Sequence, residues 1–284
     1  MNKNIAIFIL LASALLAQNA YPQTRNHKET ESILRQIKEY NQTEKLLEKA
    51  QTGESEKETD ENDGRRRAET PGIDLALLKT GLSFFNSGNY DGAIKTLNEL
   101  ISDYPQSLHA DTARIWLGKA HIKKYEYAKA IKELSAIPET SGEYPAARFD
   151  MALCFKNMGN TLAAISHYQT IAARFPDHDL ADKALLHSGI LFAESGKGNE
   201  AASAFFLIMS RYSTRESVDN ALFHLAMVFE KDPELRDIER VRDIYRLFLK
   251  KAADGESRFK DSPLKERAER ELKRIEEVYF KIKQ

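Results

Sequence analysis

The stretch Gly88-Asn89-Tyr90-Asp91-Gly92-Ala93 indicates the fold of this chain, because related turns recur after it at regular intervals. They read Tyr125-Glu126-Tyr127-Ala128-Lys129-Ala130, Gly159-Asn160-Thr161-Leu162-Ala163-Ala164 and Gly196-Lys197-Gly198-Asn199-Glu200-Ala201. The alanines that close the four turns lie 37, 34 and 37 residues apart. Self-similarity at an interval of roughly 20–50 residues is the signature of a repeat architecture.

A second small residue lies twelve positions before each closing alanine, and the same spacing of 37 places a fifth at Ala226. A large residue follows each alanine by four positions, namely Leu97, Leu134, Tyr168 and Phe205. Small residues let two antiparallel helices approach closely, and the large residue fills the remaining space. We therefore predict an all-α solenoid of stacked helical hairpins. The predicted packing residues are Gly81, Ala93, Gly118, Ala130, Ala152, Ala164, Gly189, Ala201 and Ala226.

This pattern resembles the tetratricopeptide repeat (TPR), a helix-turn-helix unit with small residues, a large residue and proline at these offsets. Pro105 and Pro176 stand where two of the second helices should end. Pro138 should end the second helix of repeat 2 early, and a longer loop at 232–237 makes the fifth repeat degenerate. The resemblance implies a TPR domain over residues 72–255 with repeats at about 74–107, 111–144, 145–178, 182–215 and 218–252.

The last segment, residues 262–284, is predicted to be a capping helix. Ser262-Pro263 offers an N-cap with proline in the first turn. Apolar residues then recur every three or four positions on a helix whose other faces are charged. A solenoid needs such a helix to cover its exposed end.

In the TPR family, positions 2, 5, 9 and 12 of each first helix line a concave groove. The corresponding positions here form a stripe that is more apolar than a solvated groove should be, and contiguous apolar surface marks a partner site. We therefore predict that an extended or helical segment of another protein docks in the groove. Two alternatives stay open: the N-terminal arm covers these positions, or they are core residues because the register is shifted by one. The predicted groove residues are Leu78, Leu82, Phe85, Ile115, Lys119, Ile122, Phe149, Leu153, Lys156, Leu186, Ile190, Phe223 and Met227.

Residues 1–20 have the layout of a secretory signal peptide. A basic tip at Lys3 precedes an apolar run that is too short to span a bilayer comfortably, and small residues follow it. Cleavage after Ala17 or after Ala20 fits, and an uncleaved anchor is the alternative. No cysteine follows the apolar run, so the sequence predicts an exported periplasmic protein, soluble or peripheral to the outer membrane, without a lipid anchor or later membrane span.

A charged neck separates this signal from the repeats. Residues 21–50 are predicted to form a helical arm, in which Ile33, Ile37, Tyr40 and Leu47 share a narrow seam. The residues leave open whether the arm is a lone helix or a short coiled coil through which two copies associate. Residues 51–71 hold almost no apolar side chain and are predicted to be a disordered linker.

The composition argues against several classes of function. The 284 residues carry 42 Lys and Arg against 43 Asp and Glu, whereas a nucleic-acid binder usually shows a basic excess. A single cysteine, Cys154, excludes an internal disulfide framework, and it is predicted to be a small core residue. Phosphate loops, nucleophile elbows and zinc motifs are absent from the sequence. Asp177-His178-Asp179 is predicted to be a polar loop rather than a metal site. We predict no enzymatic activity, no cofactor and no metal.

Signal, arm and repeats together resemble bacterial cell-envelope TPR proteins. Two families are similar: the Tol–Pal-associated periplasmic division coordinator (CpoB type) and the BamD-type component of outer-membrane barrel assembly. The arm and the missing lipid-anchor cysteine favour the first, whereas five repeats and a long C-terminal helix favour the second. The resemblance implies an envelope scaffold that binds partner proteins, in envelope organisation or cell division, or alternatively in outer-membrane protein assembly. A ligand-sensing or regulatory module is the alternative of another class.

Overall fold

The computed structural model describes residues 72–280. The predicted signal peptide, arm and linker, and the last four residues of the predicted capping helix, lie outside this range. Within it the chain forms twelve α-helices followed by a short π-helical turn at Glu276–Phe280, and no strand. The helices are α1 Ile73–Asn86, α2 Tyr90–Asp103, α3 Ala110–Lys123, α4 Tyr127–Ser135, α5 Tyr144–Asn157, α6 Thr161–Arg174, α7 Ala181–Glu194, α8 Gly198–Arg211, α9 Val218–Lys231, α10 Ile238–Ala253, α11 Ser257–Lys260 and α12 Lys265–Ile275.

Helices α1 to α10 form five consecutive hairpins, in which each helix packs against the next along the chain. The first helices of neighbouring hairpins also contact each other, as α1 does with α3, α3 with α5 and α7 with α9. We call α1, α3, α5, α7 and α9 the inner helices, and α2, α4, α6, α8 and α10 the outer helices. The predicted all-α solenoid is therefore the observed fold.

Close approach within a hairpin depends on the small residues of the repeat. A Cβ placed on Gly81 would lie 2.7 Å from the Leu97 side chain. A Cβ on Gly118 would meet Leu134 at the same distance, and one on Gly189 would meet Phe205. Real Cβ atoms do not come this close to their neighbours, so in repeats 1, 2 and 4 the glycine of the inner helix makes room for the large residue of the outer helix. The alanines at the other packing positions, 93, 130, 152, 164, 201 and 226, are fully buried.

Asparagine and aspartate begin three of the outer helices. The side chains of Asn89 and Asn160 accept hydrogen bonds from backbone N–H groups at the third residue of α2 and α6, at 2.9 and 3.1 Å. Asp237 does the same for α10, at 2.9 Å from the N–H of Arg240. Each bond satisfies a donor that the helix itself leaves unpaired. These caps start the outer helices of repeats 1, 3 and 5 directly after their turns.

Repeats 2 and 5 differ from the others where the sequence indicates. The outer helix α4 ends at Ser135 after only nine residues, ahead of Pro138. Ile137 follows the helix and remains buried in the core of the repeat. Between α9 and α10 the loop extends from Asp232 to Asp237. Both departures leave the stacking of neighbouring helices intact.

Replacing Tyr125 by glycine is expected to stabilise the protein by about 0.5–1 kcal/mol. The turn of repeat 2 holds Tyr125 at a φ of 61°, whereas Gly88, Gly159 and Gly196 provide the positive φ in repeats 1, 3 and 4. A left-handed backbone is unfavourable for a residue with a Cβ, and Tyr125 has an exposed side chain whose removal sacrifices little burial. Chemical denaturation measures the gain. Tyr125→Ala is the control, since it keeps the Cβ; an equal gain from alanine would locate the effect in the ring rather than in the backbone.

The C-terminal segment departs from the predicted cap in one detail. Helix α12 begins at Lys265, and Pro263 stands in the turn before it, so the prediction of Ser262 as N-cap with proline in the first helical turn is wrong. Ser262 Oγ accepts a hydrogen bond from the N–H of Leu264 at 3.1 Å and donates one to buried Asp219 on α9. Ser262 therefore fastens the turn to repeat 5, and α12 packs against α10 as the inner helix of a next repeat would.

The described helices are 4 to 16 residues long, and none of them has the length and the apolar character needed to cross a membrane.

Candidate functional site: the concave groove

The inner helices present a shared apolar face, which we call the concave groove. Ten of the thirteen predicted groove residues are at least partly exposed there. Two of the ten are basic, the half-buried Lys119 and the exposed Lys156. The other eight are half-buried and apolar, and they are Leu82, Phe85, Ile122, Phe149, Leu153, Leu186, Ile190 and Met227.

Three predicted groove residues lie in the core instead, and we correct their assignment. Leu78 is 8% exposed, Ile115 is 3% exposed and Phe223 is fully buried. They occupy the fifth position of repeats 1, 2 and 5, where this position points toward the packing interface, whereas Phe149 and Leu186 at the fifth position of repeats 3 and 4 stay partly exposed. Leu78 and Ile115 each belong to the hydrophobic cluster of a repeat, and Phe223 packs beside Tyr245 with ring centroids 5.6 Å apart. These three support the floor of the groove from below.

At the N-terminal end of the groove, Trp116 joins the predicted residues. Its ring meets that of Phe85 edge-on at 5.1 Å, and the Lys119 ammonium lies 4.7 Å from the Trp116 ring centroid. Trp116 stands at the sixth position of its helix, which the four-position rule does not include. Because the sixth position of one repeat packs toward the large residue of the repeat before it, Trp116 covers the cluster of repeat 1 while its edge stays half exposed. The position of Trp116 in the sequence does not by itself identify it as a groove residue; its packing against repeat 1 does.

Histidines occupy the same sixth position in repeats 4 and 5. His187 stacks on Tyr168 at 5.3 Å and meets Phe149 edge-on at 5.5 Å, and His224 stacks on Phe205 at 5.9 Å. Burial lowers the pKa of both imidazoles, which favours their neutral form. Both histidines therefore act as flat packing residues between repeats.

Repeat 3 places a carboxylate, Asp150, at this sixth position. Its Oδ2 is buried and has no hydrogen-bond partner among the described residues. Burial raises the pKa of Asp150 to about 6, and the positive charge of Lys119 on the neighbouring inner helix opposes this rise. An ionised group that is poorly solvated and poorly paired costs stability. The ionised form of Asp150 therefore lowers the stability of the protein. This residue lies on α5, the middle inner helix of the groove.

Asp150→Asn is expected to stabilise the protein by about 1–2 kcal/mol near pH 8 and to have little effect near pH 4. The folded pKa of about 6 lies above the value of 3.8 for a solvated Asp, so the folded state binds the extra proton. Stability of the unmodified protein therefore falls as the pH rises from about 4 to about 6 and is level above that range. Asn does not ionise, so the variant lacks this dependence on pH. Urea denaturation across this range measures the difference. Exposed Glu99→Gln is the control, and a gain independent of pH would contradict the assignment.

A cleft closes the C-terminal end of the groove, and we call it the C-terminal cleft. It has a volume of about 280 Å³ and lies where α9, α10 and α12 meet. Arg274 of α12 crosses it, with its Nε 2.8 Å from Glu271 Oε2 and its other end paired with Glu230 of α9. Hydrogen bonds to Glu271 and Glu230 raise the pKa of Arg274. The cleft is lined by Phe223, Met227, Glu230, Lys231, Tyr245, Arg267, Glu271 and Arg274.

The α12 residues of this cleft were not among the predicted groove residues. The connection before α12 is longer than those between the other repeats, so α12 does not follow the interval of 34 to 37 residues. For this reason its position in the repeat could not be assigned from the interval. One signal was present: Ser262 precedes Glu266 by four positions, as Ser107 precedes Asp111. Counted from Glu266 as a first position, Arg267 and Arg274 fall at positions 2 and 9 of an inner helix. The capping helix therefore extends the groove with a charged end.

The segment Asp177-His178-Asp179 and Cys154 have structural roles. The imidazole of His178 accepts a hydrogen bond from the N–H of Leu180 at 3.1 Å, whereas Asp177 pairs with Arg211 at 3.3 Å and so turns away from it. Cys154 is buried, and desolvation raises the pKa of its thiol to about 12, so it is no thiolate nucleophile. Within residues 72–280 no three His, Cys, Asp or Glu side chains come together as the ligands of a metal ion would.

Comparison with known proteins bears on the fold. The family model described as the tetratricopeptide repeat matches residues 75–107 and 146–178. A crystal structure of the MamA protein is 18% identical with a TM-score of 0.53, and the match covers 66% of this chain and 97% of that one. No curated protein matches the sequence significantly.

Two further solved structures are similar at lower scores. A tetratricopeptide repeat protein from Parabacteroides merdae is 16% identical with a TM-score of 0.45, over 73% of this chain and 93% of that one. YrrB, described as a TPR protein with an unusual peptide-binding site, is 14% identical with a TM-score of 0.46, over 60% of this chain and 85% of that one.

The matched segments coincide with the first and third hairpins, α1–α2 and α5–α6. The remaining hairpins share their packing and their helix order. Residues 72–280 are therefore folded as an all-α TPR solenoid.

Proposed function

We propose that this protein is a scaffold of the bacterial cell envelope that binds a segment of a partner protein in its concave groove. The observation that carries the proposal is the row of eight half-buried apolar side chains along the inner helices. Exposing such a row to water is unfavourable, and an extended or helical segment laid along it would bury it. The TPR fold is generally an interaction scaffold, and we propose that the chain has no catalytic role.

The location in the envelope is supported by the sequence of residues 1–20, with its basic tip, short apolar run and small residues. A role in cell division or envelope organisation follows from the resemblance to the division coordinators, and barrel assembly is the alternative. Mass measurement of the mature chain tests export, because a cleaved signal removes the first 17 or 20 residues.

Photo-crosslinking tests the groove. A photoreactive amino acid replaces Leu153 on inner helix α5 in one variant and Leu207 on outer helix α8 in the other, and each is expressed in the native cell. We expect a defined protein adduct from position 153 alone. Adducts of equal yield at both positions, or none at 153, would contradict binding in the groove. The adduct's identity separates division partners from barrel-assembly partners.

A further inference from the structure

The C-terminal cleft contains a polar group that nothing in the fold satisfies. Tyr245 of α10 is 1% exposed and lines the cleft, yet its hydroxyl has no hydrogen-bond partner among the described residues. A buried hydroxyl without a partner is destabilising, so such groups usually have a bonding role. Burial raises the pKa of Tyr245, which keeps the hydroxyl protonated and able to donate.

A cation without a carboxylate partner lies on the same cleft. The guanidinium carbon of Arg267 is 4.9 Å from the centroid of the Phe223 ring, so the guanidinium covers this buried ring. Within residues 72–280 no carboxylate pairs with Arg267, whereas Arg274 is held by both Glu230 and Glu271. Arg267 therefore offers planar N–H donors to a ligand.

The charge of the lining also lacks one negative group. Lys231, Arg267 and Arg274 face the two carboxylates of Glu230 and Glu271. One further carboxylate would balance them, and it would accept hydrogen bonds from Arg267 and from the Tyr245 hydroxyl. The half-buried side chain of Met227 in the lining suits the methylenes that carry such a group. A volume of about 280 Å³ fits a side chain better than a whole cofactor.

We infer that the C-terminal cleft is a binding site for one acidic side chain, glutamate or aspartate, of the segment that docks in the groove. The inference rests on the proposed function, since the docked segment supplies the carboxylate. The cleft would fix the register of that segment, because only one of its positions can place an acid beside Arg267 and Tyr245. The apolar groove supplies burial, and the cleft supplies direction and position.

Fragment titration tests this site separately from partner binding. The probes are the N-acetyl, N-methylamide derivatives of glutamate, glutamine and lysine, added to the full chain. NMR follows the Arg267 Nε–Hε signal and the backbone amides of Phe223 and Arg267. We expect saturable shifts with glutamate, and about 10-fold weaker binding of glutamine, because a charge-assisted hydrogen bond is lost. Equal binding of the three probes, or no saturable shift with glutamate, would overturn the inference.

Two variants locate the fragment. Tyr245→Phe removes only the hydroxyl, and Arg267→Gln replaces the guanidinium by a shorter, neutral amide; each should weaken glutamate binding by about 5- to 10-fold. Arg270→Gln is the matched control, since Arg270 is on the same helix, pairs with Glu266 at 3.8 Å and does not line the cleft. Unchanged glutamate binding in Tyr245→Phe and Arg267→Gln would place the probe elsewhere and overturn the site.

A third variant separates the two proposals. Substituting groove residues Leu82, Leu153 and Ile190 with Asp should abolish partner binding and leave the fragment bound, because none of them lines the cleft. If crosslinking at Leu153 succeeds and the fragment fails to bind, the acidic site is wrong and the scaffold function stands. If the fragment binds and crosslinking fails, the site stands without its proposed partner.

Discussion

Ala164→Leu is expected to lower the free energy of unfolding by about 1–3 kcal/mol. Ala164 is fully buried on α6 and belongs to a cluster with Tyr168, Ile171 and Leu191, so three additional carbon atoms have no space to occupy. The side chains around Ala164 are packed between adjacent repeats. A larger side chain at this position could be accommodated only if the two helices of the hairpin moved apart. Thermal unfolding measures the effect, at about 2–4 °C of Tm for each kcal/mol in a chain of this size.

The control for this substitution lies on the same helix. Ala173→Leu introduces the same side chain at an exposed position of α6 and should leave Tm almost unchanged. A Tm for Ala164→Leu that matches that of the unmodified protein would mean that the outer and inner helices are not closely packed at this position. The packing register of the repeat would then be incorrect for repeat 3.

The second large effect concerns binding. Simultaneous substitution of Leu82, Leu153 and Ile190 with Asp is expected to weaken the crosslinked partner's affinity by at least about 100-fold, or about 2.7 kcal/mol. These residues are half-buried on three different inner helices, so the three charges would interrupt the apolar row along its length. Calorimetry with the purified partner measures the loss.

Folding of this triple variant requires its own check. Circular dichroism and Tm should stay near those of the unmodified protein, and the same positions changed to Ser provide a second variant if Asp destabilises the hairpins. The matched control is Leu162, Leu207 and Leu247 to Asp, on outer helices α6, α8 and α10, where all three leucines are exposed. Equal affinity loss in both triple variants, or full affinity in the inner one, would remove the groove as the binding surface.

Particular residues show where prediction from sequence succeeded. The recurring interval from Ala93 through Ala130 and Ala164 to Ala201 predicted antiparallel hairpins, because close helix contact demands small side chains at set positions. Pro138 likewise indicated the short α4, since proline cannot continue a helix. Signals of this kind are local: each depends on a few residues and on the fixed geometry of a helix.

The candidate site was predictable only in part. The four groove positions identified Leu82 and Leu153 as partly exposed, yet they also included Phe223, which is buried beneath Arg267. Whether a fifth-position residue is open depends on how closely the next inner helix approaches, and that distance is set by side chains on both helices. Trp116 was not predicted as a groove residue for the same reason. Its partial exposure depends on how it packs against the hydrophobic cluster of repeat 1.

The amino-acid pattern alone was enough to predict the helical repeat, its register and its small-residue contacts, because these follow from the spacing of residue types along single helices. The packed helices were needed to show that α12 continues the row of inner helices and brings Arg267 and Arg274 against Phe223 and Glu230. The same holds for the Tyr245 hydroxyl, which has no hydrogen-bond partner within residues 72–280. The physical reason is that such contacts join residues more than twenty positions apart, and their geometry depends on the summed packing of every helix between them.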